Sequence, residues 1–452
     1  MRLDAIGKYH DLLTDEIAEE SHSQLEHQLR RRDLFFGDRA LCTVLRPRFF
    51  TPEQYGYLER RSRLLLSAFR KTYKAAIENA GFRRQFGLAA WEEELVHHDP
   101  GFRDPSPTSR LDAFFVDESS GLRFTEYNAE TPAGPAYADE LSEVFLALPI
   151  VREFLRHYTL RPLPARYGVL HALLDAYHQW LGRRELPRIA ILDWREVPTR
   201  SEFVLFRDYF ISQGLECVIA DPREVDYRDG RLMAEGKHIT LIYKRVLLSE
   251  LVGQGWGSGG LSHPVIQAVR DRAVCMVNPF RSKILHKKAS LSVLSDERNG
   301  ALFTRDEISA IASHVPWTRN VEERRSTRGE KDIDLIPFVR DNREQLVLKP
   351  NDDYGGKGIV LGWEVDGPTW EQAIRTALAE PYIVQERIEL PFEPFPSWDG
   401  RVQLIDRMLD TAPFVSYGSQ TDGCMTRLST AALLNVTAGG GSTVPIFVVE
   451  PR

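Results

Sequence analysis

Cysteine is scarce in this 452-residue chain, and its four copies exclude most thiol and zinc chemistry. Cys42, Cys217, Cys275 and Cys424 stand far apart, without the close spacing of a metal site, and Cys217 and Cys275 fall in apolar runs. They read as buried thiols of a reducing compartment. No apolar stretch approaches the roughly 20 residues of a membrane-spanning helix. The opening MRLDAIGKYHDLLTDE lacks the apolar core of a secretory signal, so the expectation is a cytoplasmic protein. Basic charge is not in excess either. The formal net charge is −7, which argues against nucleic acid as the main partner. At 42% hydrophobic and 27% charged residues, the composition is ordinary for a globular protein, and the length leaves room for two or three domains.

What is present is concentrated in a few segments. Residues 110–128, RLDAFFVDESSGLRFTEYN, place two apolar stretches around a polar turn, which predicts a β-hairpin. If Val116 pairs with Leu122, Asp112 lies opposite Glu126 and Arg110 opposite Asn128. Side chains alternate faces, so all four point the same way. Facing carboxylates destabilise a sheet, and a hard divalent cation such as Mg²⁺ resolves the conflict. An exposed face carrying unrelated charges is the alternative.

Residues 346–361, LVLKPNDDYGGKGIVL, form a strand ending in Lys349, a glycine-containing loop, and a second strand. Gly355, Gly356 and Gly358 suit backbone approach to an anion, and Lys349 and Lys357 are placed to neutralise phosphate. The spacing is not that of a P-loop, and no G-x-G-x-x-G follows the first strand of the later α/β stretch. A further strand, Tyr382-Ile383-Val384, runs into Gln385, Glu386, Arg387 and Ile388.

This combination resembles the ATP-grasp superfamily. Because RLD and EYN precede the lysine strand and the VQE segment, the order resembles the circularly permuted ATP-grasp enzymes typified by glutathionylspermidine synthase. The segment NPFRSKILHKKASL (278–291) matches a lysine position of that family at Lys288, with Lys287 as the alternative. The resemblance covers most of residues 105–452. It implies that Asp112, Glu126 and Asn128 are magnesium ligands and that Arg110 faces the transferred phosphoryl group. Lys288 and Lys349 would bind phosphate oxygens. Residues 352–358, with Asp353, Tyr354, Gly355, Gly356, Lys357 and Gly358, would form a lid, and Gln385, Glu386, Arg387 and Ile388 the adenine hinge. Asn435, before a run of glycines, is a second candidate amide ligand.

The implied fold is α/β (α+β): a helical N-terminal region at 1–104, the metal-binding hairpin and helices at 105–185, a Rossmann-like α/β domain at 186–280, and nucleotide-binding lobes at 281–452. Alternating strands and helices from residue 187 predict a parallel sheet with covered faces. Arg195, Thr199, Arg200 and Ser201, after its first strand, are candidates for gripping an acidic substrate, or else a helix cap with surface arginines. The charged run 320–332 reads as a linker. Asp406 and Arg407 are polar positions on a strand without a clear role.

The implied activity is an ATP- and Mg²⁺-dependent ligase joining a small-molecule or peptide carboxylate to an amine through an acylphosphate. The sequence departs from glutathionylspermidine synthase in lacking an amidase domain and in the AETPAG that follows EYN. Its substrates therefore differ or are unassigned. A nucleotide-binding scaffold without turnover, and a kinase that stops at a phosphorylated product, are the alternatives.

Overall fold

The computed structural model describes residues 2–115, 121–253, 260–352, 357–430 and 441–452. Its largest element is a nine-stranded sheet. The strands Thr108–Phe115 and Leu122–Asn128 form a hairpin. The first of them pairs with Ala412–Ser416, which pairs with Gln420–Ser429. Beyond that strand lie Val402–Leu409 and Phe392–Trp398. Residues from the first third of the chain thus complete a sheet built largely from its end. Ser442–Pro451 extends it and pairs with Tyr158–Pro162 and, in parallel, with Arg48–Phe50. The N-terminal region is therefore not helical throughout: one of its segments joins this sheet.

The hairpin pairs Asp112 with Glu126 and Arg110 with Asn128, as its alternation implies. The route differs from the expected one. Leu122 pairs with Phe115 rather than Val116, and a bulge at Thr125 restores the register, because Glu126 and Phe124 oppose the consecutive residues Asp112 and Ala113.

A second, four-stranded antiparallel sheet has the order Thr318–Asn320, Tyr382–Glu386, Leu346–Pro350, Val360–Leu361. Leu346, Leu348 and Val384 pack against Trp370, Ile374 and Ala377 of the helix Gly367–Ala379. Val347, Lys349 and Gln385 take the opposite face, as period-two alternation requires. The run 320–332 is not a linker. It leads into the hairpin Arg325–Arg328 with Lys331–Asp334, and its Arg324 lies 2.5 Å from Asp296 and 3.3 Å from Glu297.

The third sheet is parallel, in the order Cys275–Val277, Leu241–Lys244, Arg188–Leu192, Glu216–Ala220. Helix Arg200–Ser212 covers one face through Phe203, Phe206 and Phe210, and Pro264–Arg270 packs on the other. Pro149 divides the helical stretch after the hairpin, with Leu148 extended, into Pro135–Ala147 and Pro149–Phe154. All four cysteines are buried free thiols. No helix among the described residues is long and apolar enough to cross a membrane.

Candidate active site

The nine-stranded and four-stranded sheets face one another across a cleft of about 1030 Å³. One wall presents Asp112, Glu126, Met408, Asp410 and Arg427; the other presents Val347, Lys349, Leu361 and Gln385. The apolar end adds Ile359, Trp363, Ile388, Leu390 and Phe392. Arg328, Glu344, Glu386, Arg387 and Glu389 also line the cleft, so apolar surface and charge stand together, as suits a ligand with a flat ring and a charged tail.

Asp112 is the centre of the charged end. Its Oδ1 accepts from Arg110 Nε at 2.6 Å, and its Oδ2 accepts from Arg110 at 3.0 Å, from Arg427 at 2.8 Å and from Asn128 Nδ2 at 3.0 Å. Burial pushes this carboxyl up, but Arg110 and Arg427 outweigh burial and hold it well below the ordinary range. Arg110 is fixed in turn by the carbonyl of Ala133 at 2.8 Å. Burial likewise disfavours the charge on Glu126, and Asp112 adds to that. Lys288, 3.4 Å away, and Lys349 nevertheless bring its pKa below the ordinary value.

Lys349 donates to Gln385 Oε1 at 2.7 Å, and Gln385 Nε2 donates to Thr318 Oγ1 at 3.0 Å. Burial lowers the Lys349 ammonium to about 8, with Glu126 opposing and Lys288 reinforcing the shift. Of the two adjacent lysines, Lys288 reaches Glu126, whereas Lys287 is bound to Glu92 at 2.7 Å and Asp352 at 2.9 Å.

The sequence-expected hinge lines the apolar end with its side chains already engaged. Glu386 accepts from the Trp317 amide at 2.9 Å and pairs with Arg328 at 2.5 Å. Arg387 lies over Trp363 at 4.4 Å. Gly358 has φ of +68°, and a Cβ there would meet Pro350 Cγ at 2.6 Å, so the loop requires glycine at that point. Lys357 is exposed beside it. Asp353, Tyr354, Gly355 and Gly356, and also Asn435, lie outside the described residues.

Two site residues were not singled out from the sequence. Arg427 bridges Asp112 and Asp410, and Asp410 receives both the Arg427 amide and its Nε at 2.6 Å. Burial raises the Asp410 carboxyl, with Arg427 opposing. Cross-strand pairing alone brings these residues to the hairpin, so no local motif marks them. Arg195, Thr199, Arg200 and Ser201 do not reach the cleft lining. Arg195 pairs with Glu224 at 2.5 Å, and Ser201 donates to the Phe35 carbonyl at 2.9 Å. Asp406 is exposed, and Arg407 is buried with a 3.3 Å bond to Ser397.

No protein-family model matches the chain. Over 335 residues it is 24% identical to "Putative glutamate--cysteine ligase 2-2" of Frankia casuarinae, a match covering 71% of this chain and 36% of that protein. The matched part is thus about a third of that relative's length. Among solved structures, a glutathione synthetase-like effector from Globodera pallida in its apo form superposes with a TM-score of 0.62 at 12% identity, covering 97% of this chain and 99% of that one. That likeness is one of fold. D-alanyl-alanine synthetase A from Vibrio cholerae gives a TM-score of 0.24 at 12% identity, over 49% of this chain and 66% of that one. The mixed α/β architecture, with its several sheets, fits an ATP-grasp-like fold.

Proposed function

We propose that this chain is an ATP- and Mg²⁺-dependent ligase that joins a carboxylate to an amine through an acylphosphate, with the parts of its nucleotide site in circularly permuted order. The observation that carries the reading is the convergence of Asp112, Glu126 and Arg427 with Lys349 on the two walls of one cleft. The name of the Frankia relative, which describes formation of a C–N bond, supports the same class.

The donor set fits magnesium. Mg²⁺ is commonly held by one or two carboxylates together with substrate phosphates rather than by a full protein cage. Asp112 and Glu126 both have lowered pKa values and are ionised at neutral pH. Asn128 uses its amide nitrogen on Asp112, so its oxygen is the atom suited to a cation. Bound there, the ion would offset charge on the β- and γ-phosphates of ATP.

The chain's own residues supply the rest. Lys288 and Lys349 neutralise phosphate oxygens, and Val347, Ile359, Leu361 and Met408 offer apolar surface to the base. Arg110 and Arg427, both donating to Asp112, present guanidinium groups where negative charge gathers during phosphoryl transfer. The carboxylate substrate displaces ADP from the γ-phosphoryl group to give an acylphosphate. The amine then attacks the acyl carbon and releases phosphate. No nucleophilic side chain is needed.

The test is trapping with hydroxylamine during ATP turnover with a panel of amino acids and small peptides. A hydroxamate formed together with ADP is expected. ADP release that yields a stable phosphorylated product and no hydroxamate would replace the ligase reading with a kinase.

A further inference from the structure

The two phosphate-binding lysines belong to segments 61 positions apart, and one residue ties those segments together. Asn351 follows the strand that carries Lys349 and is 4% exposed. Its Oδ1 accepts the Ala289 amide at 2.9 Å, and its backbone carbonyl accepts the Lys288 amide at 2.9 Å. Its Nδ2 donates to the carbonyl of Phe86 at 2.8 Å, and its amide donates to the carbonyl of Pro381 at 2.9 Å. The four polar groups of Asn351 thus reach three segments, and two of the groups hold the adjacent amides of Lys288 and Ala289. The neighbouring Asp352 continues the attachment: its carboxylate receives Lys283 at 2.6 and 2.8 Å and lies 2.9 Å from Lys287.

We propose that Asn351 and Asp352 form a positioning pair that registers the segment 283–289 against the Lys349 strand, and so fixes the separation of the Lys288 and Lys349 ammonium groups. Asn351 acts on the backbone of the lysine segment and Asp352 on its side chains. Asp352 is thereby an anchor at the root of the glycine loop, not part of the moving lid expected from the sequence. The inference rests on the nucleotide reading above and assigns neither residue a contact with substrate.

Shifting a charged group by about 1 Å can cost on the order of 100-fold in a preorganised site, so loss of the pair is read in affinity for phosphates. The experiment compares calorimetric binding of Mg-ATP and of adenosine to the native protein, Asn351→Ala and Asn351→Asp. The aspartate retains an acceptor for the Ala289 amide, a role in which Asp and Asn are near equivalents. The expected result for Asn351→Ala is Mg-ATP binding weakened by roughly tenfold or more with adenosine binding unchanged, and partial recovery in Asn351→Asp, which keeps the acceptor for Ala289 but loses the donor to the Phe86 carbonyl. Equal weakening of both ligands in Asn351→Ala would mean a general loss of structure and would overturn the positioning role. Native-like Mg-ATP affinity in Asn351→Ala would overturn it while leaving the nucleotide reading intact. Absence of Mg-ATP binding to the native protein would overturn the nucleotide reading itself, and this inference with it. Should Asn351→Ala fail to fold, Asp352→Asn carries the same comparison, with Mg-ATP affinity reduced and adenosine affinity native.

Discussion

Two clusters of the same residue types lie side by side in this protein and are built to opposite ends. In the cleft, Asp112, Glu126 and Asp410 line a space of about 1030 Å³ together with Arg427 and Lys349, and Arg110 and Lys288 pair with Asp112 and Glu126. Behind it, Glu92, Glu130 and Asp352 meet Lys244, Lys283 and Lys287 with almost no solvent. The buried set balances three carboxylates against three ammonium groups, and burial lowers the adjacent His286 to about 4, so it stays neutral. The cleft set opens onto a cavity, with Arg427 on one wall and Lys349 on the other. A closed, balanced network holds elements together. An open one leaves its charged groups within reach of a ligand.

Substitution breaks the comparison in opposite ways. The largest effect is expected from Asp112→Ala, which should abolish ATP turnover at a smaller loss of stability, because Arg427 keeps Asp410 and Arg110 keeps the Ala133 carbonyl. Near-native ADP release would contradict the assignment. Glu130→Ala should do the reverse. It leaves Lys244 buried without its 3.0 Å partner, a loss of about 3–5 kcal/mol for breaking a buried pair, readable as a large fall in the denaturant midpoint.

Asp410→Asn comes next. It removes the charge that orients Arg427, and it should lower kcat more than it raises KM for ATP. A change in KM alone would place Arg427 in ground-state binding only.

The smallest effect concerns pH. Lys349 is depressed in the folded protein to about 8, so it is charged below that value and neutral above it. ATP affinity should therefore fall as pH rises through about 8. Binding near pH 8.5 should take up protons, visible as a buffer-dependent heat, and Lys349→Met should remove that uptake. For stability the sign is opposite. Between about 8 and the unfolded value near 10.4 the unfolded chain holds more protons at this position, so its contribution to stability rises with pH.

Much of the cleft was legible in the sequence because its signals are local. Alternation around a polar turn put Arg110, Asp112, Glu126 and Asn128 on one hairpin face, and the strand before a glycine loop marked Lys349. The bulge at Thr125 was not legible, although it compensated for a one-residue error at the hairpin tip. Arg427 escaped because its partner Asp112 is 315 residues away and joins it only through the sheet. The buried cluster escaped for a related reason. Lys283 and Glu92 sit on short helices, and Lys287 just after one, where charged residues ordinarily face water, and only tertiary packing encloses them. The run 320–332 looked like a linker because its charges read as solvated, whereas Arg324 pairs with Asp296 and Glu297 and a hairpin follows it.

The most direct test of the central claim is calorimetric titration with ATP, with and without magnesium, of the native protein and Asp112→Ala. The account predicts magnesium-dependent binding to the native protein and its loss in the variant. Failure of the native protein to bind, or equal binding by both, would contradict it.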